Sequence, residues 1–153
     1  MASEPQMHAE YKEMLSLFAK HRVRYLVVGA YAVMRYTEPR YTKDLDPWVD
    51  AAPNNAQRVF RALVEFGAPL KGFQPSDFTT PHAVFQIGMT PIRIDVMLHV
   101  EGVKFSTAWR NRKTTRIGRQ TVHFISKADL IKCKRKAGRP QDLIDVDHLT
   151  GKS

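Results

Sequence analysis

Apolar positions along this chain switch repeatedly between a helical and a strand period. In residues 7–21, Tyr11, Met14, Leu15, Phe18 and Ala19 recur at the spacing of one helix face. Residues 25–28, Tyr-Leu-Val-Val, read as a buried strand. Gly29 ends it, and Ala-Tyr-Ala-Val-Met begins a short helix of small residues. A loop follows over 37–43, where Pro39 biases Glu38 away from helix. Asp44-Leu45-Asp46 opens the next extended segment.

Residues 54–66 give a second amphipathic helix, with Val59, Phe60, Leu63, Val64 and Phe66 apolar. Pro53-Asn54 supplies its start and Gly67 its stop. The stretch 67–81 reads as a long loop anchored by Phe73 and Phe78, and is expected to line one wall of a pocket. Strands are expected over 83–88 and 92–99, joined by Met89-Thr90-Pro91. A turn at Glu101-Gly102 leads to a short helix over 105–110 with Trp109 packed inward. Residues 116–117 and 120–125 form a basic hairpin around Gly118, expected near an acceptor. Ser126-Lys127-Ala128-Asp129 has the form of a capping box and opens a helix through Lys136. Gly138 closes that helix, and Pro140 starts the last one.

This order implies an α/β (α+β) fold, a mixed β-sheet flanked by helices with a C-terminal helical pair. The 153 residues suit one domain, with an α/β core over 7–125 and the helical pair over 126–150. The longest apolar run, 25–34, is too short to cross a bilayer. The amino terminus lacks a basic-then-apolar targeting pattern, so the expectation is a cytoplasmic chain with no membrane partner. A single cysteine, Cys133, excludes an intrachain disulfide and a cysteine-based zinc site, and reads as a small helix residue.

Charge sharpens this picture. The net charge of +9 is uneven: residues 104–139 hold twelve Lys/Arg against one acid, Asp129, and the remainder carries a small negative balance. Such asymmetry points to a polyanionic partner for the carboxyl-terminal third, or to a solvated basic surface.

The chemistry concentrates in residues 24–50. On a strand, residues two apart share a face, so Asp44 and Asp46 leave one side together while Leu45 turns into the core. Adjacent carboxylates repel unless a cation sits between them, and a hard divalent cation suits an oxygen-only donor set. Gly29 stands at the mouth of a helix, where backbone N–H groups meet phosphates. Asp95 is the one acid on a later apolar strand, sharing a face with Arg93, with which a simple surface pair is the alternative.

Gly29-Ala30 followed by Arg40-x-Thr42-x-Asp44-x-Asp46 resembles the signature of the nucleotidyltransferase superfamily, which shares its fold with polymerase β. The nearer resemblance is to small stand-alone bacterial nucleotidyltransferase-like proteins related to abortive-infection toxin enzymes. It spans residues 9–149 and includes the Gly72-Phe73 loop, Arg93-Ile94-Asp95, Gly102-Val103, Ala108-Trp109 and the block from Lys134 to Asp145. The resemblance implies a nucleotidyltransferase fold and catalytic, metal-holding carboxylates at Asp44, Asp46 and Asp95, with Mg²⁺ or Mn²⁺ as cofactor. It implies nucleotide-binding roles for Gly29, Ala30, Arg40, Thr42 and Lys134. An NTP would be the substrate, with RNA, tRNA or a protein as hydroxyl acceptor. The alternative is a catalytically weak module binding nucleic acid or a partner protein, with a toxin–antitoxin system as its setting.

Two residues depart from the pattern. Ala30 keeps a backbone N–H but cannot donate a hydroxyl hydrogen bond. Pro47 removes a ladder donor, which predicts an edge, bulged or terminating strand. Asp-Leu-Asp also occurs as the DxD of metal-dependent glycosyltransferases, whose catalytic domains usually exceed this length. The haloacid-dehalogenase pattern needs Thr or Val where Trp48 stands.

Overall fold

The computed structural model describes residues 7–39, 42–88 and 92–152. Its helices are α1 (Ala9–Lys20), α2 (Gly29–Tyr36), α3 (Pro53–Phe66), α4 (Phe105–Arg110), α5 (Lys127–Ala137) and α6 (Pro140–Leu149). Its strands are β1 (Tyr25–Val28), β2 (Asp44–Val49), β3 (Val84–Ile87), β4 (Arg93–Met97), β5 (Lys113–Ile117) and β6 (Gln120–Phe124). The strands form one sheet in the order β3-β4-β2-β1-β6-β5. The pairs β1–β6 and β2–β4 are parallel, and the other three are antiparallel. The expected mixed sheet with flanking helices is therefore present.

Burial follows position in the sheet. All four residues of β1 are buried, as a central strand covered on both faces requires. Strand β4 alternates, burying Ile94 and Val96 and leaving Arg93, Asp95 and Met97 on the other face. Edge strand β5 is largely exposed and carries Lys113 and Arg116, charges that discourage pairing with another chain. Helix α1 packs on α3, and α2 contacts β1, β2, α5 and α6. Buried side chains from α1, the sheet and α3 form one core.

The helix ends use expected local chemistry. Pro53 enters α3 in its first turn, and Gly67 leaves it in the left-handed conformation (φ +91°), with its N–H on the carbonyls of Leu63 and Val64. Ser126 caps α5 by accepting from the Asp129 N–H at 3.2 Å. The reciprocal half of the anticipated box is not made by Asp129, whose carboxylate instead accepts from Asn111 Nδ2 at 3.2 Å.

Several expectations change. Ala19 and Val64 are exposed, and Leu17 and Ala62 take the buried positions instead. Residues 67–81 are not structureless: Pro75–Thr79 forms a 3₁₀ turn packed on α3, with Phe78 buried and stacked on Phe85 at 4.2 Å. Phe73 remains exposed, edge-on to Phe85. Trp109 packs against the core but stays half-buried, with Arg24 and Arg112 over its ring, and Ala108 is the residue α4 buries fully.

Pro47 overturns a sharper expectation. It lies inside a central strand, neither at an edge nor at an end, opposite Val27 of β1. On the β4 side, partners occur at Asp44, Leu45 and Trp48 and skip Asp46 and Pro47, with one register on both sides of the gap. The missing donor is absorbed by a break in one ladder, without a bulge.

Two side chains tie distant segments together. The Tyr11 hydroxyl donates to the Lys43 carbonyl and accepts from the Arg93 N–H at 3.2 Å, stapling the starts of β2 and β4. Asn55, buried in α3, accepts from Arg24 N–H (2.8 Å) and donates to the carbonyls of Arg24 (3.2 Å) and Asp50 (2.8 Å). Asn55→Ala removes the side-chain partner of the Arg24 N–H and the Asp50 carbonyl, while the Arg24 carbonyl keeps the Asp50 N–H, and is expected to cost about 2–3 kcal/mol in urea unfolding.

Candidate active site

Strand β2 begins where the loop after α2 ends, and Thr42 shapes that entry. Its hydroxyl accepts from the Asp44 N–H at 3.2 Å, a local turn that sets the first residue of the strand. From there alternation governs: Leu45 is fully buried, while Asp44 and Asp46 face the other way. Because β4 runs parallel to β2, with Asp44 opposite Arg93 and Leu45 opposite Ile94, Asp95 lies alongside Asp46. Two adjacent strands thus bring Asp44, Asp46 and Asp95 to one place.

Gly29 completes the corner. It has φ +69°, and a Cβ built there would lie 2.0 Å from Asp46 Oδ2 and 2.9 Å from its Cγ. Only glycine allows the backbone entering α2 to approach that carboxylate so closely. The short β1–α2 turn and the DxD segment are therefore one structural unit.

Asp46 is mostly buried, and its carboxyl is pushed up to about 7 by that burial and by the neighbouring charges of Asp95 and Asp44. Arg93 and Lys134 pull in the opposite direction. The Asp95 carboxyl is likewise raised, first by burial and then by Asp44, against Arg93. Arg93 sits at the rim, with Nη2 3.4 Å from Asp44 Oδ2 and Nε 3.2 Å from Asp95 Oδ1. The Asp95 contact is an ion pair without good hydrogen-bond geometry. Oδ1 is a buried oxygen with no hydrogen-bond partner among the described residues. The anticipated Arg93–Asp95 pair exists, and so does the convergence on Asp46.

These acids line a cleft of about 540 Å³ together with Gly29, His99, Glu101 and Lys134. The Lys134 ammonium is 12% exposed and lies 2.9 Å from Asp145 Oδ2 and 3.3 Å from Asp142 Oδ1. Asp142 also takes 2.7 Å from Arg139 Nε, and Gln141 Nε2 donates to Asp145 at 3.0 Å. Burial opposes ionisation of Asp142. The Arg139 hydrogen bond and the charges of Lys134 and Arg139 outweigh it and hold the carboxyl below its ordinary range. Asp142 and Asp145 are thus buried partners of the cleft lysine, and Asp142 also accepts from the Arg139 N–H at 3.2 Å in the first turn of α6.

The sequence-derived set divides on this geometry. Asp44, Asp46, Asp95, Gly29 and Lys134 come together on one cleft. Ala30 and Thr42 stand beside it without lining it, and Arg40 lies outside the described residues, as does the turn at 89–91. None of residues 67–81 lines the cleft; that stretch covers α3 instead. The sequence reading missed His99 and Glu101 on the cleft wall; only their strand-end spacing could have suggested them.

Three carboxylates give an oxygen-only donor set, with Asp95 Oδ1 buried and met by the Arg93 ion pair without a hydrogen bond, and fit a hard divalent cation such as Mg²⁺. A metal ion would counter the burial and the mutual repulsion that raise the Asp46 and Asp95 carboxyls.

No protein-family model matches the sequence, and no curated protein matches it. Among solved structures, the chain is similar to a lincosamide antibiotic adenylyltransferase, LnuA, in its lincomycin-bound form. The TM-score is 0.62 at 16% identity, over 98% of this chain and 100% of that one. This chain therefore has the nucleotidyltransferase fold expected from Gly29, Asp44, Asp46 and Asp95; the likeness speaks to the fold and not to the toxin-related subgroup.

Two outcomes follow from the Gly29–Asp46 corner. Gly29→Ala is expected to destabilise the protein by about 2 kcal/mol or more, from left-handed backbone and steric conflict together. Asp46→Ala in the same chain should recover most of the steric part, visible as coupling in a double-mutant unfolding cycle. The second concerns pH. Folded Asp46 keeps a proton up to about 7, which the unfolded carboxyl releases near 3.8. Stability of the metal-free protein therefore falls as pH rises across that window. Asp46→Asn should be more stable than the parent by a few kcal/mol at pH 8 and nearly equal to it near pH 4, measured by chemical denaturation.

Proposed function

We propose that this chain is a metal-dependent nucleotidyltransferase, moving an NMP from an NTP to a hydroxyl acceptor with release of pyrophosphate. The observation that carries this reading is the convergence of Asp44, Asp46 and Asp95 beside Gly29 on a cleft with a lysine in its wall. The fold likeness to an adenylyltransferase supports it.

Mg²⁺ or Mn²⁺ held by the three aspartates would neutralise triphosphate charge and act as a Lewis acid at the reacting phosphoryl group. The protein's own groups do the rest. Asp44 and Asp46, side by side on one face of β2, would be among the residues that hold that ion. The acceptor oxygen bonds to the α-phosphorus as the bond to the pyrophosphate oxygen breaks. Asp95, which lines the cleft and whose carboxyl is raised by burial, is the carboxylate that takes the acceptor proton. Lys134 has three donors, and its contacts with Asp142 and Asp145 leave one for a phosphate oxygen. Arg40, Thr42, Gly29 and Ala30 complete the nucleotide side in this reading.

The acceptor is a hydroxyl compound of one of two kinds. The similar adenylyltransferase was solved with lincomycin, which favours a small polyhydroxylated molecule. The basic stretch 104–139 favours RNA, tRNA or an acidic protein, and a toxin–antitoxin role belongs with that branch.

A second reading has one specific observation behind it. Arg93 already contacts both Asp44 and Asp95, a resident cation where a metal would otherwise be needed. On that reading the cleft is catalytically weak and the chain binds nucleic acid through its basic third. Binding that survives EDTA and Asp46→Ala, and weakens steeply with salt, would support it.

Calorimetric titration of ATP, GTP, CTP and UTP with Mg²⁺ tests occupancy without a known acceptor. Binding should be detectable for at least one nucleotide and lost in Asp46→Ala. In assays of labelled NTP with candidate acceptors, Asp46→Ala or Asp95→Ala should lower transfer by at least about a hundredfold, equivalent to about 3 kcal/mol of barrier. Undiminished transfer in either variant would refute the assignment. Mg²⁺ should also raise the melting temperature more at pH 8 than at pH 5, because protons compete for Asp46 at the lower pH.

A further inference from the structure

At the rim of the cleft, His82, His99 and Glu101 offer one ligand atom each, all within 4.8 Å of one another. The sheet explains the meeting. The antiparallel β3–β4 register sets Val84 opposite Met97, and the Leu98 N–H to Ala83 carbonyl bond (3.1 Å) carries it one step further. The next step places His82 opposite His99. Glu101 follows His99 by two residues, and His99 Nε2 lies 3.2 Å from Glu101 Oε1.

The cluster carries a cost that a plain surface pair would not need. His82 holds a positive φ of 64°, uncommon for a residue with a side chain. That conformation puts its ring 4.2 Å from the His99 ring, centroid to centroid. The His99–Glu101 contact alone gives no reason for His82 to be there.

We propose that His82, His99 and Glu101 form a second metal site, for a divalent transition metal of the zinc class. The donor set is two imidazoles and one carboxylate, borderline nitrogen with oxygen, which distinguishes it from the all-oxygen aspartate cluster. Ligand bonds of about 2.0–2.2 Å in tetrahedral geometry put donor atoms roughly 3.3–3.5 Å apart. The His99–Glu101 spacing nearly meets this. His82, exposed on a turn, has only a small distance to close. Three protein ligands leave a position open. Because His99 and Glu101 line the cleft, that position faces the same space as the aspartates. The site does not rest on the nucleotidyltransfer reading, since the ligands are a separate set.

The test is titration of the EDTA-stripped full chain with Co²⁺, followed by visible absorption, then competition with Zn²⁺. About one equivalent of tetrahedral or five-coordinate Co²⁺ should bind and be displaced by Zn²⁺. His82→Ala and His99→Ala should each weaken binding at least about tenfold. Asp46→Asn, which alters the deeper cluster, should leave the cobalt spectrum in place. In the unsubstituted chain, Zn²⁺ should shift the imidazole resonances of two of the six histidines, a readout that does not depend on any variant folding. Absent shifts, an octahedral-only cobalt spectrum, binding unchanged in His82→Ala, or binding lost in Asp46→Asn and kept in both histidine variants would each overturn the proposal.

Discussion

Mutual repulsion among carboxylates in a partly buried corner is the constraint that organises this molecule. Asp46 and Asp95 arrive from neighbouring parallel strands, and Asp44 stands two residues away on the same face. Each alone would be unremarkable on a strand. Burial, joined by the neighbouring carboxylate charges, pushes the Asp46 carboxyl up to about 7 and raises that of Asp95. Nearby features act on that arrangement. Gly29 has no Cβ because Asp46 occupies its place. Arg93 leans across the rim to two of the acids, and Lys134 contributes positive charge from the opposite wall.

The last two helices are more than a cover for the sheet. Lys134 projects from α5 into a space where a lone ammonium would be costly to bury. Helix α6 supplies two carboxylates to hold it, and Arg139 balances their charge. The resulting network is neutral in sum and holds Lys134 between two carboxylates, so it fixes the position of a positive charge. A flexible surface lysine could supply the same charge, but not its position. On this view α6 serves the cleft indirectly, through the residue it steadies.

Much of this was legible in the sequence because it depends on local periodicity. Alternation around Leu45 and Ile94 specified which way the aspartates face, and the Gly67 and Gly138 stops placed helix ends well. The parts that were not legible depend on pairing between distant segments. Nothing local to Asn55 announces that it will satisfy the backbone at both Arg24 and Asp50. His82 and His99 are brought opposite each other only by the β3–β4 register. Pro47 was misjudged for a related reason: a strand has two neighbours, and a missing donor need disturb only one of them. The run 67–81 looked free because its anchor, Phe78, finds its partners on α3 and β3 rather than within the loop.

The Tyr11 hydroxyl has a consequence beyond the helix that carries it. It grips the chain at Lys43 and Arg93, just ahead of the two strands that bear the acidic residues. The gap between those strands is therefore set partly from outside the sheet, by a residue more than thirty positions upstream of the nearer contact. Docking of the first helix and assembly of the negative cluster become a single event. A disturbance anywhere along that helix's inner face would be felt as a change in how far apart the charges sit.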